Sequence, residues 1–96
     1  MNNLEFSQLM ETRTKTLAIS IIKLSSHIAK TTESRVIRNQ ITKSGTSIGT
    51  NYREANRSRS KADFYHKIKI CETEASETVY WLELIKERKG YELDEN

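Results

Sequence analysis

Residues 41–69 read ITKSGTSIGTNYREANRSRSKADFYHKIK. Ile41, Ile48, Tyr52 and Ala55 fall on one face of a helix, in line with Ile37 upstream. Gly45 and Gly49 interrupt that face, with Ser44 and Ser47 beside them. A glycine inside a helix costs about 1 kcal/mol relative to alanine. Two of them one turn apart need an offsetting gain, and close approach of another helix backbone supplies one. The competing reading is a loop between two helices, because Gly, Ser and Thr together are a loop signal. Asn56-Arg57-Ser58-Arg59 follows as a joint. Ser60-Lys61-Ala62-Asp63 then fits the S-x-x-[DE] capping box that opens a helix.

Downstream of the joint, Phe64, Ile68, Cys71, Ala75, Thr78, Leu82 and Ile85 alternate spacings of four and three, the mark of a long helix with one apolar face. Gly90 is the expected stop, with Lys86, Arg88 and Lys89 in the last turn. A second stripe of Ile70, Glu74, Glu77 and Trp81 predicts contacts on two sides of this helix. Trp81, Leu82, Leu84 and Ile85 form an apolar end that three helices do not obviously cover. Upstream, Met10, Thr14, Leu17, Ile21, Leu24 and Ile28 mark a first helix, widened by Ala18, Ile22 and Ala29. Thr12, Thr14 and Thr16 weaken its first half, since β-branched residues lose rotamer freedom in a helix.

These patterns predict helices over about 7–28, 33–55 and 61–89, with a short polar connection at 30–34, in one domain spanning 1–96. The fold class is all-α, an antiparallel up-down bundle. Gly45, Ser47, Ile48, Gly49, Asn51, Phe64, Trp81 and Leu82 are its expected packing residues. Three such helices leave one long groove open, to be filled by a fourth helix or by another subunit.

The chain has 96 residues, no proline, one cysteine and a net charge of +3. No apolar run reaches the length of a membrane span. The first residues lack the basic and apolar regions of a secretory signal, and the single Cys71 cannot close an internal disulfide. A cytoplasmic protein is expected. The charge is unevenly spread. Residues 34–61 carry Arg35, Arg38, Lys43, Arg53, Arg57, Arg59 and Lys61 against Glu54 alone, a net +6, while residues 62–96 carry five bases against nine acids. The basic stripe either tracks a phosphate backbone or pairs with Glu72, Glu74 and Glu77, within the chain or between subunits. A solvated rim with no ligand is the bland alternative.

No catalytic constellation accompanies these charges. Glu74 and Glu77 share a face, as a carboxylate pair for acid–base or metal chemistry would, but pairing with Arg53 or Lys43, or accepting from Asn51, is the favoured account of them. Asp63 and His66 have one spacing of a helical di-iron site, which needs a second such motif and two further inward carboxylates. Cys71 lies within the apolar pattern, where a thiol behaves as a small hydrophobe. His27 fits a surface or capping role at a helix end. No phosphate loop, zinc motif or nucleophile elbow occurs. No enzyme activity, metal or cofactor is expected.

One resemblance adds to this reading. Thr46-Ser47-Ile48-Gly49-Thr50-Asn51, Arg59-Ser60-Lys61-Ala62-Asp63-Phe64 and Glu77-Thr78-Val79-Tyr80-Trp81-Leu82-Glu83-Leu84 resemble three segments of the four-helix-bundle proteins encoded within intervening sequences of bacterial 23S rRNA genes. The match covers nearly half of the chain closely and the first helix loosely. It implies an antiparallel four-helix bundle and a cyclic homo-oligomer, a pentamer. It also implies kinship with the accessory protein of diversity-generating retroelements, whose basic barrel binds nucleic acid and a reverse transcriptase. The sequence departs from the family pattern in ending at Asn96, where a fourth helix is expected to begin. The expected function is thus a non-enzymatic, oligomeric bundle that binds RNA or DNA through Arg35, Arg38, Lys43, Arg53, Arg57, Arg59 and Lys61. The alternative is an assembly or partner-binding scaffold with no nucleic-acid role.

Overall fold

The computed structural model describes residues 1–88. Three helices follow one another: α1 (Asn3–His27), α2 (Thr32–Asn56) and α3 (Lys61–Glu87). The chain runs up, down and up. Descending contacts show this for α1 and α2, where Thr14 meets Gly49, Ile21 meets Gly45 and Ser25 meets Thr42. They show it again for α2 and α3, where Ser44 meets Thr78, Ile48 meets Cys71 and Glu54 meets Lys67. The expected stop at Gly90, and Lys89 with it, lie outside the described residues.

α2 is the centre of the molecule. It packs on both neighbours, while no Cα atoms of α1 and α3 come within 8 Å of each other. The described part measures 45 × 23 × 17 Å, the shape of a layer of helices. Of the seven buried apolar residues among those described, Ile37, Ile41, Ile48, Tyr52 and Ala55 belong to α2, and Ile21 and Ile28 to the first helix and its end. The buried residue of α3 is Thr78. Burial of an aliphatic side chain stabilises by about 1.5–3 kcal/mol, so the apolar energy of this layer is concentrated on α2.

The glycine segment is helical throughout, so the loop reading does not hold. A Cβ on Gly45 would stand 2.9 Å from both Cγ1 and Cγ2 of Ile21, and one on Gly49 would stand 3.2 Å from Thr14 Oγ1. The offsetting gain is therefore contact with α1. The other side of α2 meets α3 through a buried hydrogen bond, in which Thr78 Oγ1 lies 2.9 Å from Ser44 Oγ. Cys71 Sγ also approaches the carbonyl of Ile48 at 3.5 Å. Burial is the main cause that raises the thiol pKa above its usual value, as for a cysteine that serves as packing.

Local signals account for the helix ends. Asn2 caps α1 by accepting from the Glu5 amide at 2.8 Å, which starts the helix earlier than residue 7. Thr14, a weak helix former, is 7% exposed, and its hydroxyl lies 2.9 Å from the Met10 carbonyl. Tertiary contact with Gly49 outweighs its propensity. His27 Nδ1 lies 2.7 Å from the carbonyl of Lys23 at the end of α1. Ser60 accepts from the Asp63 amide at 3.0 Å, one half of the expected capping box. The complete box is at α2: the Ser34 amide donates to Thr31 Oγ1 at 3.1 Å, and the Thr31 amide donates to Ser34 Oγ at 2.9 Å. Ser34 Oγ also donates to the carbonyl of Ala29. Thr31→Ala removes the acceptor of this N-cap. Urea titration should then show a loss of about 1 kcal/mol.

The apolar stripes are only half used. Thr14 and Ile21 are buried on α1 and Ile28 just past its end, whereas Leu17, in the other line of the same stripe, is 38% exposed. On α3, Phe64 is 36% exposed, and Cys71, Leu82 and Ile85 are partly buried. At about 100° per residue, Leu17 and Leu24 turn toward the gap between α1 and α3, as do Phe64 and Leu82. Phe64 thus lines an open groove rather than filling a core, and its ring meets Tyr65 edge-on at 6.0 Å. Trp81 is partly buried against Tyr80 at 5.0 Å, and its Nε1 is shut from solvent with no hydrogen-bond partner.

Candidate nucleic-acid interface on the outer face of α2

Residues along α2 advance by about 100° each. Ile41, Ser34 and Tyr52 lie on its inner side, between the lines of contact with α1 and α3. Lys43 lies diametrically opposite, and Arg35, Arg53 and Arg57 lie between Lys43 and the α1 seam. All four are exposed, as are Arg59 in the joint and Lys61 at the start of α3. The same packing that buries the isoleucines of α2 thus presents its bases to solvent on one side of the layer.

Three expected site residues behave differently from a uniform stripe. Arg38 is partly buried, and its Nε is enclosed without a partner. Its position in the helical turn points it toward the α1 side, so it leaves the exposed face. A buried N–H without an acceptor costs about 1–3 kcal/mol. Arg38→Met keeps the packing stem and removes that donor. The variant should be more stable by about 1 kcal/mol in chemical denaturation, and its nucleic-acid affinity should be unchanged.

Arg53 is the second. Its Nε lies 3.6 Å from Glu11 Oε1, and Asn56 Nδ2 donates to Glu11 Oε2 at 2.9 Å. Its partner is therefore a carboxylate of α1, not Glu74 or Glu77 of α3. The side chains of Arg53 and Glu11 are 48% and 30% exposed, so the pair is worth at most about 1 kcal/mol. Arg57 is the third: its Nη1 lies 3.5 Å from the Arg53 carbonyl, at the end of α2. Among the described residues, Arg35, Lys43, Arg57, Arg59 and Lys61 make no ion pair. Among the described residues, α2 and α3 share one ion pair, the exposed contact of Glu54 with Lys67 at 3.1 Å.

The polar packing residues also differ in role. Ser47 Oγ donates to the Lys43 carbonyl at 2.6 Å and Asn51 Nδ2 to the Ser47 carbonyl at 2.9 Å. Both satisfy their own helix rather than a carboxylate of α3. Glu11 and Asn56 are the interhelical polar residues that periodicity alone did not single out.

Along the α1–α2 seam the outer face is dented. One depression of about 240 Å³ is lined by Thr14, Ala18, Thr46, Gly49 and Thr50, with Glu11, Lys15 and Arg53 at its rim. A second, of about 490 Å³, continues from Glu11, Lys15 and Arg53 along α1 to Gln8 and Ile19. No group of three metal-ligating side chains occurs among the described residues, and Asp63 and His66 are both exposed. None of the described helices is long and apolar enough to cross a membrane.

Residues 8–95 match the family described as 23S rRNA-intervening sequence protein. The chain belongs to that family. A crystal structure of similar fold is that of a protein of unknown function from the S23 ribosomal protein family of Bacteroides thetaiotaomicron. It is 36% identical, with a TM-score of 0.77, and the match covers 90% of this chain and 77% of that one. No curated protein matches the chain. For this member of the intervening-sequence family, neither relationship points to an enzymatic family. In this chain the described residues form a helical layer whose outer α2 face is basic.

Proposed function

We propose that this protein is a non-enzymatic, cytoplasmic helical protein that binds RNA or DNA through the outer face of α2 and the following joint. One observation carries the reading: Arg35, Lys43, Arg57, Arg59 and Lys61 are exposed, and no carboxylate of the described residues pairs with them. A row of cations unpaired with any carboxylate of the described residues attracts phosphates and releases their counterions. Glu72, Glu74 and Glu77 do not engage that row within the chain. A gel-shift assay with structured rRNA at low salt tests the reading. Binding that weakens steeply with salt is the expected result, and no shift even at low salt rejects it.

A self-associating scaffold is the second reading, and a different observation favours it. Phe6, Leu9, Leu17, Phe64 and Val79 are large apolar residues, 36–54% exposed, on the helices beside the groove. Apolar side chains gathered on one side of a layer mark a contact surface. In that reading the groove joins copies of the chain into a homo-oligomer, a pentamer by family resemblance, or seats a protein partner. Light scattering at low and high salt separates the two readings. A multimer that is insensitive to salt and takes up no RNA favours the scaffold.

A further inference from the structure

The depression at the α1–α2 seam differs from the rest of the basic face. Elsewhere the cations stand on a convex helix surface, suited to contacts with a phosphate backbone. Here a concavity of about 240 Å³ is combined with fixed polar groups. Gly49 keeps its floor low, since a Cβ at that position would already meet Thr14. Ala18 and the threonines supply short walls. At the rim stand Lys15, which makes no ion pair among the described residues, and Arg53. Between them Glu11 is held in place by Arg53 and Asn56.

That arrangement has a specific chemistry. An ionised carboxylate has about four acceptor sites; Asn56 occupies one on Glu11 at 2.9 Å, and Arg53 stands 3.6 Å from the other oxygen. Glu11 also lines the depression of about 240 Å³, where a group seated in it can donate to the carboxylate. Arg53 offers a guanidinium plane on which a base can stack, as single-stranded RNA is commonly held. Lys15 offers a charge for the adjoining phosphate. A carboxylate accepts from an exocyclic amino group such as cytosine N4, and it has nothing to accept from the corresponding carbonyl of uracil.

We propose that this depression is a subsite for one unpaired nucleotide whose base carries an amino group, with Glu11 as its acceptor and Lys15 and Arg53 as its phosphate and stacking contacts. The proposal rests on the nucleic-acid reading above and adds to it a place and a base preference. The phosphate row draws in the strand, and the seam selects a splayed base.

The test uses the whole chain and free mononucleotides, so it does not depend on RNA binding as a readout. Amide resonances are followed in two-dimensional NMR while cytidine monophosphate or uridine monophosphate is added. Saturable shifts are expected at Thr46, Gly49 and Thr50, with cytidine monophosphate bound about tenfold more tightly than uridine monophosphate. Thr46→Leu fills the depression from a partly buried position without touching an ion pair, and the shifts should vanish in this variant while its helical circular dichroism is retained. Equal responses to both nucleotides, or shifts confined to Arg35, Lys43 and Arg57, would overturn the subsite. RNA retardation on a gel with silent seam resonances rejects the subsite and leaves the basic-face reading standing. Seam shifts with no RNA retardation reject the RNA role and leave a site for free nucleotides.

Discussion

Gly45→Ala should destabilise the protein by about 1–3 kcal/mol, although alanine is the better helix former. The propensity gain is about 1 kcal/mol. Against it stands the contact between α1 and α2, where the new methyl would lie 2.9 Å from two γ carbons of Ile21 and 3.2 Å from its Cβ. Ile21 is 3% exposed and β-branched, so its side chain has neither space nor a free rotamer in which to retreat. Separation of the helices is the remaining response, and overpacking of this kind typically costs 1–3 kcal/mol. Urea denaturation of Gly45→Ala, Ile21→Ala and the double variant measures the coupling. Ile21→Ala alone should cost about 2–4 kcal/mol through its cavity. The double variant should be more stable than the sum of the two losses by about 1 kcal/mol or more, because each change relieves the other. Additive losses would show that the two residues do not meet. Gly49→Ala, whose Cβ would stand no closer than 3.2 Å from Thr14, at its Oγ1, should stay within about 1 kcal/mol of the parent.

The triple variant Arg35→Gln, Lys43→Gln, Arg57→Gln should lose nucleic-acid affinity on the order of tenfold or more near physiological salt. All three side chains are exposed and none makes an ion pair among the described residues. Stability should therefore change little, and the effect should fall on binding. Each phosphate neutralised contributes about 0.7–0.9 to the slope of log K against log salt. Loss of three contacts lowers that slope by roughly 2–3. Fluorescence anisotropy of a labelled RNA across a salt series reads both quantities. An unchanged slope would remove the row of bases from the interface. A change in oligomer size with no change in RNA affinity would instead assign these charges to contacts between subunits.

How much of this was legible beforehand depends on the residue. The four-three spacing of α3 and the Ser60 cap placed its start at Lys61, where it is observed. Small residues in the middle of a helical pattern indicated close packing at Gly45 and Gly49. The box of Thr31 and Ser34 was missed because its N3 residue is serine rather than a carboxylate or amide. The stripes of α1 and α3 located an apolar face but not which half of it is covered. Leu17 and Ile21 are indistinguishable by period, yet one is 38% and the other 3% exposed. That difference arises because α1 has a helix on one flank only.

The candidate site divides in the same way. A net +6 in residues 34–61 is a property of composition, and exposure of Arg35, Lys43, Arg53 and Arg57 follows from their phase relative to Ile41 and Ile48. Arg38 was read as part of the same basic stripe, and only the packed helices enclose its Nε. The ion partner of Arg53 could not be read from the chain at all. Glu11 is more than forty residues away, and the antiparallel pairing of α1 with α2 brings it to the seam. The sequence by itself determined three helices, the cap that opens α3 and the chemistry carried on each face, because periodicity and capping are local. The tertiary structure alone decided which faces meet, which cation is enclosed and where the seam leaves a cavity. Those depend on the register and crossing of helices distant in the chain, about which local spacing carries no information.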